Sequence, residues 1–206
     1  MSDLATLLAG DVVAAARGLL GRRLRSEIGG VVCEVVLTEV EAYGGADDPA
    51  SHGFGGRTPR NASMFRAGGT LYVYRSYGMH WCLNAVTGGV GEPAAVLLRG
   101  GRPVVGEEHM RRRRGRTDHL CDGPGKLAQA LGVTGDHDGT SLLDGEVRLV
   151  GDPPPGRRIA AGPRVGISRA AERPWRFRLV EPPVRSKRAG KPETAKRTRR
   201  RSSPKD

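Results

Sequence analysis

The sequence predicts an α/β domain of the α+β kind, built on a largely antiparallel or mixed sheet and followed by a basic tail. Three observations carry this. The segments that read as strands come in runs, not in strict alternation with helices, as an antiparallel arrangement requires. Glycine supplies 31 of 206 residues and aromatic residues only 4%, a balance that favours short strands and loops over long helices. After Pro182-Pro183 the chain becomes basic, polar and poor in apolar residues. Residues 1–184 are therefore the expected single compact domain, and 185–206 an expected disordered tail.

The elements follow in order. Asp11 is placed to cap a helix from Val12 to about Leu20, which Gly21 ends. Arg22 to Glu27, the Gly29-Gly30 turn and Val31 to Val40 read as a β-hairpin. Simple alternation puts Val32, Val36 and Val40 on one face of its second strand, and Val35, Leu37, Glu39 and Glu41 on the other. Gly44 to Asn61 is a long loop, of the kind that is often functional inside a compact domain. Thr70 to Tyr77, Trp81 to Thr87 and Ala94 to Arg99 are strands. Val104 to Arg114 reads as a short basic helix, and Lys126 to Leu131 as a helix entered through Gly123-Pro124-Gly125. A hairpin turning at Asp144-Gly145 is expected between Leu142 and Val150. Short strands at Arg164 to Ile167 and Trp175 to Val180 close the domain.

The net charge is +12, which points to an anionic partner such as nucleic acid. The segment from Arg185 onward holds ten Arg and Lys residues against two acids, so it carries eight of the twelve net charges. Cys33, Cys82 and Cys121 are too few and too scattered for a disulfide framework, and they fit a reducing cytoplasm. Asp3 stands where a signal peptide has its basic start, and Asp11 and Arg17 interrupt the apolar stretch that follows. No stretch is long and apolar enough to span a bilayer, so no membrane partner is expected.

The chemistry-bearing residues begin with Glu41-Ala42-Tyr43, where a strand opens into the long loop holding His52. A carboxylate there can serve as a general base towards water, or be a surface acid leaving a strand. His52 by itself reads equally as a structural histidine. Thr70 to Asn84 gathers three of the four tyrosines and one of the two tryptophans. Alternation puts Tyr72 and Tyr74 on one face, as an aromatic core strand or as a platform for stacking bases. Asn84 can pair with a purine edge. The five histidines form no HExxH and no deaminase pattern, so no metal site is expected. Gly123 to Lys126 is not a phosphate-binding P-loop, yet it can present Lys126 and backbone N–H groups to a phosphate.

Taken together, these blocks resemble the alkyladenine (3-methyladenine) DNA glycosylase family. The matching segments are Glu39 to Tyr43, Ser51-His52, Thr58 to Asn61 with Met64-Phe65, Gly69 to Asn84, Val96 to Arg99, Cys121 to Leu127, and Pro163 to Ile167. Their order and spacing fit from about residue 10 to 180. The resemblance implies a curved, mainly antiparallel sheet with flanking helices. It implies that Glu41 activates water, with Arg99 helping to hold it, and that Tyr43, His52 and Tyr74 sandwich a flipped base. Asn84 would reject guanine through its exocyclic amine, Tyr77 would wedge into the DNA, and Lys126 would lie near the backbone. The partner implied is duplex DNA with a damaged purine, and no cofactor is expected; a monomer is the default expectation where the sequence itself is silent.

The chain departs from the family pattern at Val40, where Thr commonly precedes the catalytic Glu. A Thr-Glu pair at Thr38-Glu39 makes Glu39 a competitor for the role of base. The Ala42-Tyr43 pair and the eleven-residue step from Glu41 to His52 favour Glu41. His80-Trp81 is bulkier or more polar than the family pattern beside the wedge, and the Gly88 to Pro93 loop is slightly long. A nucleic-acid binder without catalysis would account for charge and aromatic residues, but leaves the set of Glu41, His52, Asn84 and Arg99 without a purpose.

Overall fold

A computed structural model describes residues 4–180, and the tail expected to be disordered from Arg185 lies outside the described residues. The described helices are α1 (Leu4–Leu8), α2 (Val12–Leu19), α3 (Glu107–Arg114) and α4 (Pro124–Leu131). The strands are β1 (Arg23–Ile28), β2 (Val31–Tyr43), β3 (Leu71–Ser76), β4 (His80–Thr87), β5 (Ala94–Val105), β6 (Val147–Val150), β7 (Ile159–Gly162) and β8 (Arg176–Leu179). They form one curled antiparallel sheet in the order β3-β4-β5-β2-β1-β6, with helices flanking it. The long strand β2 is shared. Its first half pairs with β1, and its second half, at Glu39, Val40 and Glu41, pairs with β8.

Local chemistry explains most boundaries. Asp11 accepts from the Ala14 N–H at 2.8 Å and caps α2 as expected. Gly29 and Gly30 both take positive φ, closing the β1–β2 hairpin. Strand β5 runs on to Val105, so Val104 does not open a helix. Pro103 is tolerated there because β4 pairs only with Ala94 to Leu97, leaving the far half of β5 paired to β2 alone. Helix α3 then starts with Glu107 and Glu108 and ends with four arginines, complementing the helix dipole.

Three further expectations are corrected. The Asp144-Gly145 turn forms, but Leu142 is not in a strand. Strand β6 pairs with β1 instead, and Ser141 bridges to Thr70. Arg164 to Ile167 is not a strand either: the Val165 N–H goes to the Glu41 side chain, and the strand β7 lies just before the segment. Finally, simple alternation fails in β2. Thr38 has no partner opposite it, nor has Arg99 on β5, so each strand carries a bulge at this point. Cys33, Val35 and Leu37 face the main core before the bulge, whereas Val40 and Ala42 face it afterwards.

That core lies between one face of the sheet and the helices. It joins Leu19 and Leu20, Leu127 and Leu131, and Met110 to Leu71, Leu83, Val96 and Leu98 of the strands. The other face carries a small cluster of Met64, Tyr72, Val86 and Ala95. This second face is where the candidate site is built.

Candidate active site

Register alone assembles the floor of the site. Tyr72 is paired with Asn84, Asn84 with Leu97, and Leu97 with Glu41, so one row crosses four strands. One step along, Tyr74 pairs with Cys82. Side chains in such rows share a face, and this face borders a cavity of about 870 Å³. Its walls include Tyr43, His52, Tyr74, Asn84, Arg99 and Val165, with Tyr77 and Pro124 at the rim. A volume of this size lies in the range of small-molecule binding pockets.

Glu41 is fully buried. Its Oε1 accepts from the Val165 N–H at 2.8 Å, and its Oε2 accepts from the Tyr43 hydroxyl at 2.9 Å and from Arg99 Nη1 at 3.3 Å. Glu41 does not itself border the cavity, but all three partners do. Glu39 takes a different part. It accepts from Arg99 Nε at 2.9 Å and from Arg176 Nε at 2.8 Å, and so steers the guanidinium that reaches Glu41. Burial opposes charge on Arg99, but Glu41 and Glu39 outweigh it and hold its pKa above the ordinary value. Burial, followed by the nearby Glu41 carboxylate, pushes the Tyr43 hydroxyl up, so it stays a neutral donor.

The aromatic walls are also fixed. The His52 ring meets Tyr74 edge-on at 4.4 Å, and Tyr72 and Tyr74 are stacked at 5.6 Å between centroids. His52 Nδ1 lies 3.0 Å from the Tyr72 hydroxyl. Burial, aided by the charge of Arg60, lowers the His52 pKa and favours a neutral ring. Tyr72 belongs to the small core cluster, the half-buried Tyr74 packs against it, and both line the cavity. Asn84 Nδ2 donates to the Tyr72 carbonyl at 3.0 Å, which sets the orientation of its amide.

Tyr77 occupies the β3–β4 turn instead of preceding it. Tyr77 and Gly78 have φ of 48° and 69°, and Met79 N–H returns to the Ser76 carbonyl. Left-handed φ is uncommon for a bulky residue, and here it projects a ring that is 88% exposed. Glycines make room for the bulkier pair that follows: a Cβ on Gly125 would lie 2.8 Å from the Cβ of His80, and one on Gly135 would lie 2.7 Å from the Trp81 ring. Lys126 stands in the first turn of α4, beside Pro124 at the rim, with Nζ 2.9 Å from Asp122 Oδ1.

Residues 6–183 match the profile of the methylpurine-DNA glycosylase family. The chain belongs to the methylpurine-DNA glycosylase family. It is accordingly a DNA-repair enzyme that hydrolyses N-glycosyl bonds in DNA, with alkylated bases as the family's targets. A relative from Nocardia farcinica (strain IFM 10152) is 52% identical over 185 residues, covering 84% of this chain and 85% of its own. One from Rhodopseudomonas palustris (strain BisB18) is 55% identical over 154 residues, covering 70% and 72%. A third, from Agrobacterium fabrum (strain C58 / ATCC 33970), is 47% identical over 173 residues, covering 82% and 84%. All three carry the provisional name 3-methyladenine DNA glycosylase.

Two members of the site escaped sequence reasoning. Asp48 and Arg164 form a buried ion pair, and Arg164 also donates to the Ala42 carbonyl at 3.0 Å. With its backbone neighbour Val165 on Glu41, this ties the His52 loop, the end of β2 and the 163–167 segment together. The partners stand 116 positions apart, and no local pattern announces such a pair.

Proposed function

We propose that this enzyme is a monofunctional glycosylase of base-excision repair. It turns an alkylated or deaminated purine, of the 3-methyladenine, 7-methylguanine, hypoxanthine or ethenoadenine type, out of duplex DNA. It then hydrolyses the N-glycosidic bond with water activated by Glu41, without a cofactor. The observation that carries this reading is the buried Glu41 carboxylate, held directly behind the wall of an aromatic cavity by three residues that line it, Arg99, Tyr43 and Val165.

Each step has a physical reason. A purine alkylated at N3 or N7 is cationic, and stacking on electron-rich rings favours it by about 0.5–2 kcal/mol per contact. Tyr43, His52 and Tyr74 supply those rings, and Asn84 excludes guanine. Flipping costs a few kcal/mol, least at a damaged pair, and Tyr77 offsets part of it by filling the vacated space. As the bond breaks, positive charge grows on the sugar, as in glycoside hydrolysis. A carboxylate has about four acceptor sites. Three of those on Glu41 are used, leaving one to take a proton from water. Lys126 is the only lysine before residue 187 and its amine is held by Asp122, so an intact abasic site is the expected product, with Lys126 beside the backbone. The enzyme acts as a monomer in a reducing cytoplasm, and its basic tail adds salt-sensitive affinity for phosphates.

The test is single-turnover base release from duplexes holding one hypoxanthine, ethenoadenine or 7-methylguanine. Glu41→Gln is expected to lower release by about 10²–10⁴-fold while DNA binding persists. Glu39→Gln is expected to fall between this variant and wild type, because it only loosens Arg99. Wild type that binds these duplexes but releases no base would favour a binder without catalysis.

A further inference from the structure

Arg164 is an unusual neighbour for a pocket meant to hold a cationic base. Its guanidinium is completely buried and lies 4.7 Å from the centre of the Tyr43 ring and 5.4 Å from that of Trp175. Tyr43 borders the cavity and Arg164 does not, so the guanidinium is behind the ring as seen from the base. A ring face attracts a cation, but a second cation on the opposite face repels the first through it. Buried charges of this kind are little screened by salt.

Asp48 answers that charge. Its two oxygens take a two-pronged ion pair from Arg164, with the Nη2–Oδ1 contact at 2.9 Å. Gly44 and Ala50 N–H groups donate to the same carboxylate, at 3.1 and 3.2 Å. Arg173 adds a further cation 3.9 Å from Asp48. Burial works against charge on Asp48, but Arg164 and the Gly44 and Ala50 N–H groups outweigh it and hold the carboxyl below its usual range.

We propose that Asp48 is a specificity-determining residue: by neutralising Arg164 behind Tyr43, it allows the pocket to accept positively charged bases, and so sets the preference for cationic over neutral lesions. The proposal rests on the base-pocket reading given above. Without Asp48, a cationic base stacked on Tyr43 would face an uncompensated guanidinium about 8 Å away. At an effective dielectric constant of about 20, that repulsion is enough to disfavour the base about tenfold or more. A neutral base would not feel it.

The experiment measures single-turnover release of 7-methylguanine (cationic) and hypoxanthine (neutral) by the full chain, and compares their ratio. The ratio is internal to each preparation, so a partly inactive variant still reports it. Asp48→Asn is expected to lower the cationic-to-neutral ratio about tenfold. Arg164→Gln, which leaves Asp48 unopposed by its main partner, is expected to raise it. The double variant Asp48→Asn/Arg164→Gln is expected to return it towards wild type. If both single variants lose the two activities in step, Asp48 only supports the loop and the inference is overturned while the reading of the pocket survives. Wild type that releases neither base overturns both.

Discussion

The Tyr43 hydroxyl donates to Glu41 Oε2 at 2.9 Å, so the residue that walls the cavity also holds the carboxylate behind it. Tyr43→Phe keeps the ring and removes this bond. A hydrogen bond to a charged group contributes about 1.5–3 kcal/mol, so single-turnover release is expected to fall at least about tenfold with DNA affinity unchanged. Tyr43→Ala should weaken binding of the lesion as well. Equal rates for wild type and Tyr43→Phe would remove the hydroxyl from the mechanism.

His52 gives the site an acid limit. Burial, then the charge of Arg60, holds its pKa below the ordinary 6.5. As pH falls through 6.5, the unfolded chain therefore binds the proton before the folded one does. His52 contributes stability that is present above that pH and is lost as pH falls towards the folded value. Protonation also turns a stacking surface into a cation beside Tyr74. Release of 7-methylguanine is expected to decline in acid, and His52→Phe should flatten that decline. A pH profile with the same acid limb in both proteins would count against His52 as its source.

Asn84 is held by the Tyr72 carbonyl at 3.0 Å and is 5% exposed, so it has little freedom to move aside for an extra amine. Asn84→Ser opens that space. Release of guanine from a G·T pair is expected to rise about tenfold above wild type, a modest gain of the size that shape exclusion supplies. It can be read by cleavage of the resulting abasic strand. No rise would mean that another residue excludes guanine.

Tyr77 acts only if there is a stack to enter. Tyr77→Ala is expected to slow release from duplex DNA about tenfold or more, reflecting part of the few kcal/mol that flipping costs. Release from single strands should be unchanged. Equal losses on both substrates would make Tyr77 a support of the β3–β4 turn.

Much of this was legible in the residues. Asp11 marks the start of α2, Gly29-Gly30 the first hairpin, and the alternation of Tyr72 and Tyr74 a shared face, because caps, turns and pleats are short-range chemistry. The Asp144-Gly145 turn shows the limit of such signals. The turn forms, yet its outgoing strand β6 finds its partner in β1, since a turn residue dictates a bend and not who lies alongside afterwards. Arg164 to Ile167 reads as a strand by composition, but Val165 N–H is bonded to Glu41 and Arg164 to Asp48.

What the sequence determined by itself is most of the element types, the antiparallel class and the ordered motifs that place Glu41, His52, Asn84 and Arg99 in one family. What only the tertiary structure decided is which way those residues face and what holds them. The unpaired Thr38 reverses the alternation of β2, sending Val40 and Ala42 into the core. Glu41 is thereby left on the cavity face. The Asp48–Arg164 pair then locks loop, strand and segment together across 116 positions. Both are set by register and contact through space, which have no period along the chain.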